Sequence, residues 1–368
     1  LEDGEVNRAA YMDAFVGNPP FVGSARLSNS EGAKYVDVLQ ELHLGAHGNS
    51  DLCAHFFRRA HHLLGLNGTI GLIATNSIAE GDTRVTGLKY ILDNGATIYD
   101  ATNNLHWPGN AAVSVSVVHL SMGSTSRSVP GRRLDGRDVS AIDSRLTNRL
   151  ERADPARLAA SSGLCFFNPK IGGQGFVLTY EARAELIARD AKNAEKIEPY
   201  IGAEDVLSSP TQTASRCVIH FGDVDVSVAE RWPDLIAIVR DRVKPERDKL
   251  GNHGPGNHMR KYWWQFYCEK PALAKATDGM QHFLVVSHLG KHIAFARVPA
   301  QQVLAASLYV FALSSHSAFS ILQSAFHRTW VQLLASSMRN DLRYSATDCF
   351  ETFPFPNSDP RPLLPNLE

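Results

Sequence analysis

Hydrophobic positions in the first third of the chain change period several times, and each change predicts an element. Asp13-Ala-Phe-Val16 is a short apolar run that stops at the turn residues Gly17-Asn18-Pro19-Pro20. From Leu52 to Leu66 apolar side chains recur at helical spacing (Leu52, Phe56, Phe57, Ala60, Leu63, Leu64), and Asn67-Gly68 ends the pattern. Thr69 to Thr75 is rich in β-branched residues and reads as a buried strand, and Gly87 to Asp93 as a short helix stopped by Asn94-Gly95. Thr97 to Ala101 and Ala111 to Leu120 predict two more strands, the second alternating Val113, Val115 and Val117 with Ser114 and Ser116. Strand–helix–strand order of this kind builds an α/β layer sheet.

Beyond residue 123 the periodicity weakens, and Ser, Arg, Gly and Asp dominate. Residues 1–125 therefore read as one domain, 126–165 as a linker with one short helix, 166–356 as a second domain and 357–368 as a tail. In the second domain Val218 to Phe221 and Phe283 to Ser287 predict strands. Ala229 to Lys249 predicts a helical segment broken at Pro233 and Pro245, and Ala318 to Ser336 one long helix.

Composition narrows the classes. The chain has 368 residues, 44% hydrophobic and 20% charged, which excludes wholesale disorder. No run reaches the roughly 18 apolar residues of a membrane span, and the polar start, Leu1 to Asn7, does not resemble a signal peptide, so a cytoplasmic location without a membrane partner is expected. Lys and Arg number 37 against 38 Asp and Glu, a net charge of −1, which still permits basic groups to gather on one face. Five dispersed cysteines (Cys53, Cys165, Cys217, Cys268, Cys349) suggest neither a disulfide framework nor a zinc site. His253 and His258 sit in a Gly/Asn/Pro-rich loop without a carboxylate or Cys partner nearby and read as surface loop; no metal site is expected.

The most informative stretch is Asn18-Pro19-Pro20-Phe21. Proline fixes its own φ and holds its predecessor extended, so two of them make a rigid turn at the end of a strand. At the carboxyl edge of an α/β sheet such a turn can present a side-chain carbonyl and a backbone carbonyl to one planar amino group. Two acceptors taking both hydrogens draw the nitrogen lone pair out of conjugation, and Phe21 offers a stacking face. Taken alone, the four residues read equally well as an ordinary strand-to-loop turn.

With a strand before it and helix and strand after, the motif resembles the catalytic motif of amino-methyltransferases that use S-adenosylmethionine. The resemblance extends through Ser50 to Ala60, Ile73 to Ile78, Gly81 to Arg84 and Trp107 to Val113. Downstream it continues through Pro199 to Gly202, Glu204-Asp205, Val243 to Arg247, Tyr262 to Trp264 and Arg343 to Pro356. Over about residues 11–356 the chain is similar to the MmeI-type (type IIL) DNA methyltransferases of restriction–modification systems. The resemblance implies an α/β fold: the distal half of a Rossmann-like methyltransferase sheet, followed by an α+β target-recognition domain. It implies transfer of a methyl group from S-adenosylmethionine to the exocyclic amino group of adenine in duplex DNA, the base being flipped from the stack. Methylation of the cytosine amino group uses similar motifs and stays open, Asn with Phe leaning towards adenine by family resemblance. Asn18, Pro19, Pro20 and Phe21 would be catalytic, and Trp107 would be either a second wall of the base pocket or a core residue.

The glycine-rich turn that holds the cofactor in such enzymes has no counterpart here. The cluster Gly172-Gly173-Gln174-Gly175 lies on the wrong side of the motif and resembles a turn of the recognition region. The cofactor pocket is therefore expected to be incomplete, with an upstream polypeptide completing the methyltransferase and nuclease modules. A non-catalytic DNA-recognition fragment is the alternative; a protein-glutamine methyltransferase is a weaker one, because a small substrate does not need the long second domain.

Seven basic and three acidic residues lie between Arg240 and Lys261, and Tyr262, Trp263, Trp264, Phe266 and Tyr267 follow. Phosphate-tracking grooves combine such charges with aromatic faces. Lys244, Arg247, Lys249 and Arg260 are thus candidate DNA contacts, or else a solvated helix face, while the aromatics read first as core. In the polar run Ser336 to Tyr344, Arg339, Asn340 and Arg343 have side chains shaped for base edges, or for a salt-bridged loop.

Overall fold

Leu64–Thr75 and Ser114–Ser121 pair antiparallel, and a six-stranded sheet is built outward from them. The computed structural model describes residues 12–23, 26–27, 33–107, 114–123, 131–168, 171–251, 254–267, 271–338, 341–356 and 360. It divides into two units, residues 1–154 and 155–368.

In the first unit the strands are β1 (Met12–Gly17), β2 (Leu64–Thr75), β3 (Thr97–His106), β4 (Ser114–Ser121), β5 (Arg132–Leu134) and β6 (Arg137–Val139), in the order β1-β2-β4-β3-β5-β6. β1 runs parallel to β2, and β4 is antiparallel to both β2 and β3. Alternate residues of β2 (Ile70, Leu72, Ala74) face a core shared with Ala54, Phe57 and Ala60 of helix Leu52–Leu63 and with Leu88 and Ile91. The predicted helix Gly87 to Asp93 starts earlier: Gly81–Arg84 is α-helical, Val85–Lys89 forms a π turn, and Tyr90–Asp93 closes the segment. The π turn brings Thr86 Oγ1 within 3.0 Å of the His47 amide and 2.6 Å of Ser50 Oγ, which anchors the loop ahead of helix Leu52–Leu63.

The stretch expected as a linker is in large part built into this unit. β5 and β6 form a hairpin through Asp135-Gly136, both at positive φ, and β5 adds to β3. At residue 154, Asp154 pairs with Arg84 and, at 3.0 Å, with Arg145. β1 is different from its neighbours. Among the described residues it pairs with β2 alone, and Val16 is 89% exposed, whereas parallel strands are ordinarily covered on both faces.

The second unit holds three sheets. β8 (Val177–Leu178), β9 (Ile197–Ile201), β10 (Arg216–Ile219) and β14 (Val303–Leu304) form one, in the order β14-β9-β10-β8. β7 (Cys165–Phe167), β11 (His282–Ser287), β13 (Phe295–Pro299) and β15 (Leu308–Phe311) form another, in the order β13-β11-β15-β7. The third joins β12 (Leu289–Gly290), β17 (Asp341–Arg343) and β16 (Ser336–Met338), with β17 central. The breaks at Pro233 and Pro245 fall as expected, with each proline in the first turn of its helix, Pro233–Arg242 and Lys244–Asp248. The long helix expected from Ala318 to Ser336 is instead two, His316–Leu322 and Ala325–Leu334. Between them Ser324 turns extended, and its hydroxyl accepts from the His327 amide at 3.4 Å, capping the second helix.

Candidate active site and recognition region

β1 ends in register with Leu72, three residues before the carboxyl end of β2, and the chain then enters the Asn18-Pro19-Pro20-Phe21 turn. Pro19 is buried, Phe21 half-buried, and Asn18 and Pro20 are exposed. The turn is fastened behind the ring: the Val22 carbonyl accepts the Leu52 amide at 3.0 Å, which ties it to the start of helix Leu52–Leu63. The Phe21 ring meets the edge of Trp107 with centroids 5.7 Å apart at 84°. Trp107 directly follows β3, and β2 and β4 lie between β1 and β3, a span of about 14 Å at ordinary strand spacing. The two rings therefore close over the sheet end from opposite sides. Trp107 is half-buried rather than a core residue, and 108–113, the remainder of its motif, lie outside the described residues.

At the same end of the sheet lies a polar layer that sequence reasoning did not assign. Asp51 sits at the N-cap of helix Leu52–Leu63, but its carboxylate makes no capping bond. It accepts from the hydroxyls of Ser77 and Thr75, which are themselves 2.7 Å apart, and its amide donates to Thr83 Oγ1 at 3.1 Å. Asn76, between those hydroxyls, donates from Nδ2 to Asn104 Oδ1. The Ser116 hydroxyl lies 3.1 Å from Asn76 Oδ1 and 2.7 Å from Asn103 Oδ1. The signal in the sequence is Asn103-Asn104 within a strand, where asparagine is disfavoured. Cys53 beside this layer is buried, and burial, then the Asp51 charge, pushes its thiol up to about 12.

In the second unit the basic candidates separate. Arg247, expected as a possible DNA contact, is 2% exposed and is corrected to a structural residue. Its guanidinium donates to the carbonyls of Tyr262 (2.9 Å), Gln265 (2.8 Å), Ile171 (3.1 Å) and Gly172 (3.3 Å). Burial lowers its pKa to about 10. Gly172 has φ +74°, and a Cβ there would stand 2.9 Å from this guanidinium, so the Gly172 turn serves the clamp. Lys244 pairs with Asp248 at 2.7 Å, Arg260 donates to the Leu250 carbonyl at 3.0 Å, and Lys249 is exposed. Arg343 is exposed on β17, and Arg339 and Asn340 lie outside the described residues. Trp263, Trp264 and Phe266 are buried in one core, as the packing reading expects. Among the described residues no cluster of three His, Cys, Asp or Glu could hold a metal; His253 and Cys268 lie outside them.

The methyltransferase-domain model of the MmeI family matches residues 4–130, and its target-recognition-domain model matches residues 155–357. The chain belongs to the MmeI family. Its fold matches the type IIL restriction–modification enzyme MmeI, solved in complex with DNA, with a TM-score of 0.76 at 17% identity over 94% of this chain and 46% of that one. It is 21% identical over 360 residues to DNA methyltransferase A of Bacillus subtilis (strain 168), covering 94% of this chain and 39% of that protein. The chain thus spans less than half the length of these two proteins. No helix among its described residues is long and apolar enough to cross a membrane.

An MmeI-type methyltransferase domain implies a methyl donor such as S-adenosylmethionine, and the described residues do not fit a complete site for it. At the carboxyl ends of β1 and β2 no Gly-x-Gly turn follows either strand. The cluster from Gly172 to Gly175 is filled from within its own unit, since a Cβ on Gly175 would stand 2.7 Å from that of Arg242.

Proposed function

We propose that this MmeI-family chain carries the base-capturing side of an adenine-specific DNA methyltransferase together with its target-recognition domain, acting in the cytoplasm on duplex DNA as part of a restriction–modification system. The observation that supports it most directly is the Phe21–Trp107 ring pair beside the Asn18-Pro19 turn. A flipped adenine would rest against these rings while Asn18 Oδ1 and the Pro19 carbonyl take the two amino hydrogens. Holding both hydrogens in that direction pyramidalises the nitrogen and frees its lone pair for methylation.

S-adenosylmethionine would supply the methyl group, and a further polypeptide segment would supply its cradle. Among the described residues no strand lies on the outer edge of β1, which supports this, because a parallel strand added there would end in a turn beside Asn18. The incomplete cofactor site equally favours a second reading, a recognition fragment that binds DNA without methylating it.

Asn18→Ala in the enzyme completed with its cofactor-binding segment separates the two. Loss of one preorganised acceptor at the reacting nitrogen is expected to slow single-turnover methyl transfer by about a hundred- to a thousandfold. DNA affinity should hardly change. Transfer at the parental rate would refute the assignment of Asn18, and absence of transfer in the completed parent enzyme would favour the fragment reading.

A further inference from the structure

We infer that the side-chain amides of Asn76 and Asn104 form the floor of the pocket walled by Phe21 and Trp107, and that Asn76 donates a hydrogen bond to the ring nitrogen next to the target amino group. The inference rests on the proposed base-capturing function of the first unit.

The register places these amides. Thr75, the last residue of β2, pairs with Val115 of β4, and Val115 and Ser114 pair with Leu105 and His106 of β3. Asn76 therefore leaves the sheet at the end where the chain from β1 passes into Phe21 and the chain from β3 passes into Trp107. It lies between those two strands in the sheet order, and the rings meet above that end.

The orientation is held from three sides. Asp51 grips the hydroxyls of Thr75 and Ser77, the two neighbours of Asn76. Asn104 accepts one hydrogen of Asn76 Nδ2 from a left-handed backbone (φ 52°), at the point where β3 slips register between Thr102 and Leu105. Ser116 approaches Asn76 Oδ1, but its single hydrogen is shared with the closer Asn103 Oδ1. Asn103 in turn is fixed by its backbone N–H, which donates to the Asp135 carboxylate at 2.7 Å. The left-handed backbone of Asn104, which asparagine adopts more readily than most residues, is thus held in place by this polar scaffolding. The second Nδ2 hydrogen of Asn76 has no acceptor among the described residues; Asn76 itself is half-buried and its partner Asn104 exposed, so that hydrogen is open to a ligand at this end of the sheet.

The chemistry of the base matches that spare donor. With both amino hydrogens of adenine on Asn18 and Pro19, the neighbouring N1 is an acceptor that has lost its pairing partner. Cytosine offers N3 in the same relation to its amino group. Guanine and thymine present an N–H at that edge and would meet donor with donor. An amide donor at the floor thus selects bases carrying an amino group beside a bare ring nitrogen, and rejects the others by leaving a polar group unpaired.

Saturation-transfer NMR of free nucleosides against the full 368-residue chain tests this without the cofactor or the recognition sequence. Adenosine and cytidine should bind more tightly than guanosine and thymidine. 1-Deazaadenosine, which has C–H in place of N1, should bind about five- to tenfold more weakly than adenosine, the effect of removing one hydrogen bond. Asn76→Asp replaces the donor by an acceptor at nearly constant shape and also breaks the tether to Asn104, so it should bring adenosine to the level of 1-deazaadenosine or below. Asn104→Gly removes the tether with a residue suited to that φ and should give a smaller loss of the same kind. Equal binding of adenosine and 1-deazaadenosine by the parent chain, or a ratio that Asn76→Asp leaves unchanged, would overturn the role of Asn76 alone. If no nucleoside gives a signal that Phe21→Ala removes, the base pocket itself is overturned.

Discussion

His43 Nδ1 and His55 Nδ1 face each other at 2.9 Å, with their rings stacked 5.1 Å apart beside the first turn of helix Leu52–Leu63. The contact works only with one nitrogen protonated and the other bare. Burial, and then the charges around the pair with Arg58 common to both, lower each pKa from 6.5 to about 4.

The sign of the pH dependence follows from that depression. Between about pH 6.5 and about pH 4 the unfolded chain takes up protons that the folded pair refuses, so stability is full above this window and falls as pH falls through it. Burial lowers His327 of the second unit to about 3, with the same sign. Thermal melts at about pH 7.5 and about pH 5 should show a lower midpoint in acid, and His43→Gln should reduce the difference. Equal midpoints would mean that the pair titrates normally.

Arg247 should behave as a core residue. Arg247→Met leaves carbonyls of Ile171, Gly172, Tyr262 and Gln265 without their donor, and the second unit should lose about 3–5 kcal/mol in urea unfolding. Arg247→Lys should recover little, because an ammonium cannot span four carbonyls as the planar guanidinium does. Lys249→Ala, at an exposed position, should stay within about 0.5 kcal/mol.

DNA contacts should be sought among the side chains that reach solvent. If Lys249 and Arg343 touch phosphates, replacing each by Ala lowers affinity for all sequences and makes the dependence of log K on log salt shallower by about 0.9 for each phosphate no longer neutralised. Arg343 reading a base edge would instead change the preference among sequences. Lys244, held by Asp248, should contribute less than Lys249. Binding curves at several salt concentrations distinguish these outcomes, and slopes unchanged in both variants would place the charges on a solvated face.

Calorimetry of the chain with S-adenosylmethionine is expected to show no tight stoichiometric binding. Tight binding would mean that a cradle of another design exists in this chain and that no additional segment is needed.

Much of the first unit is legible because its strands are apolar runs bounded by Gly, Asn and Pro, as at Val16-Gly17-Asn18-Pro19. The Asn18-Pro19-Pro20-Phe21 turn is legible for the same reason, since two prolines constrain the backbone before any tertiary contact forms. Arg247 misleads because its charge lies in a basic run, and only the fold brings four distant carbonyls around it. Helix His316–Leu322 reads as continuous with its successor because the break rests on one serine cap, without glycine or proline. The Asn76–Asn104 contact is hidden because 28 residues separate partners that only the sheet register brings together.

The open edge of β1 also bears on how the protein can be handled. A strand that no other described residue covers on its outer edge, with exposed apolar side chains, Val16 and Met12 among them, offers a hydrogen-bonding template to any extended chain nearby. Produced in excess without a strand to cover it, the first unit would recruit further copies of itself along that edge. The yield of soluble material would then depend on protein concentration more than on the stability of either core. Co-expression with a segment that supplies the covering strand would act as a chaperone before it acted as a cofactor site.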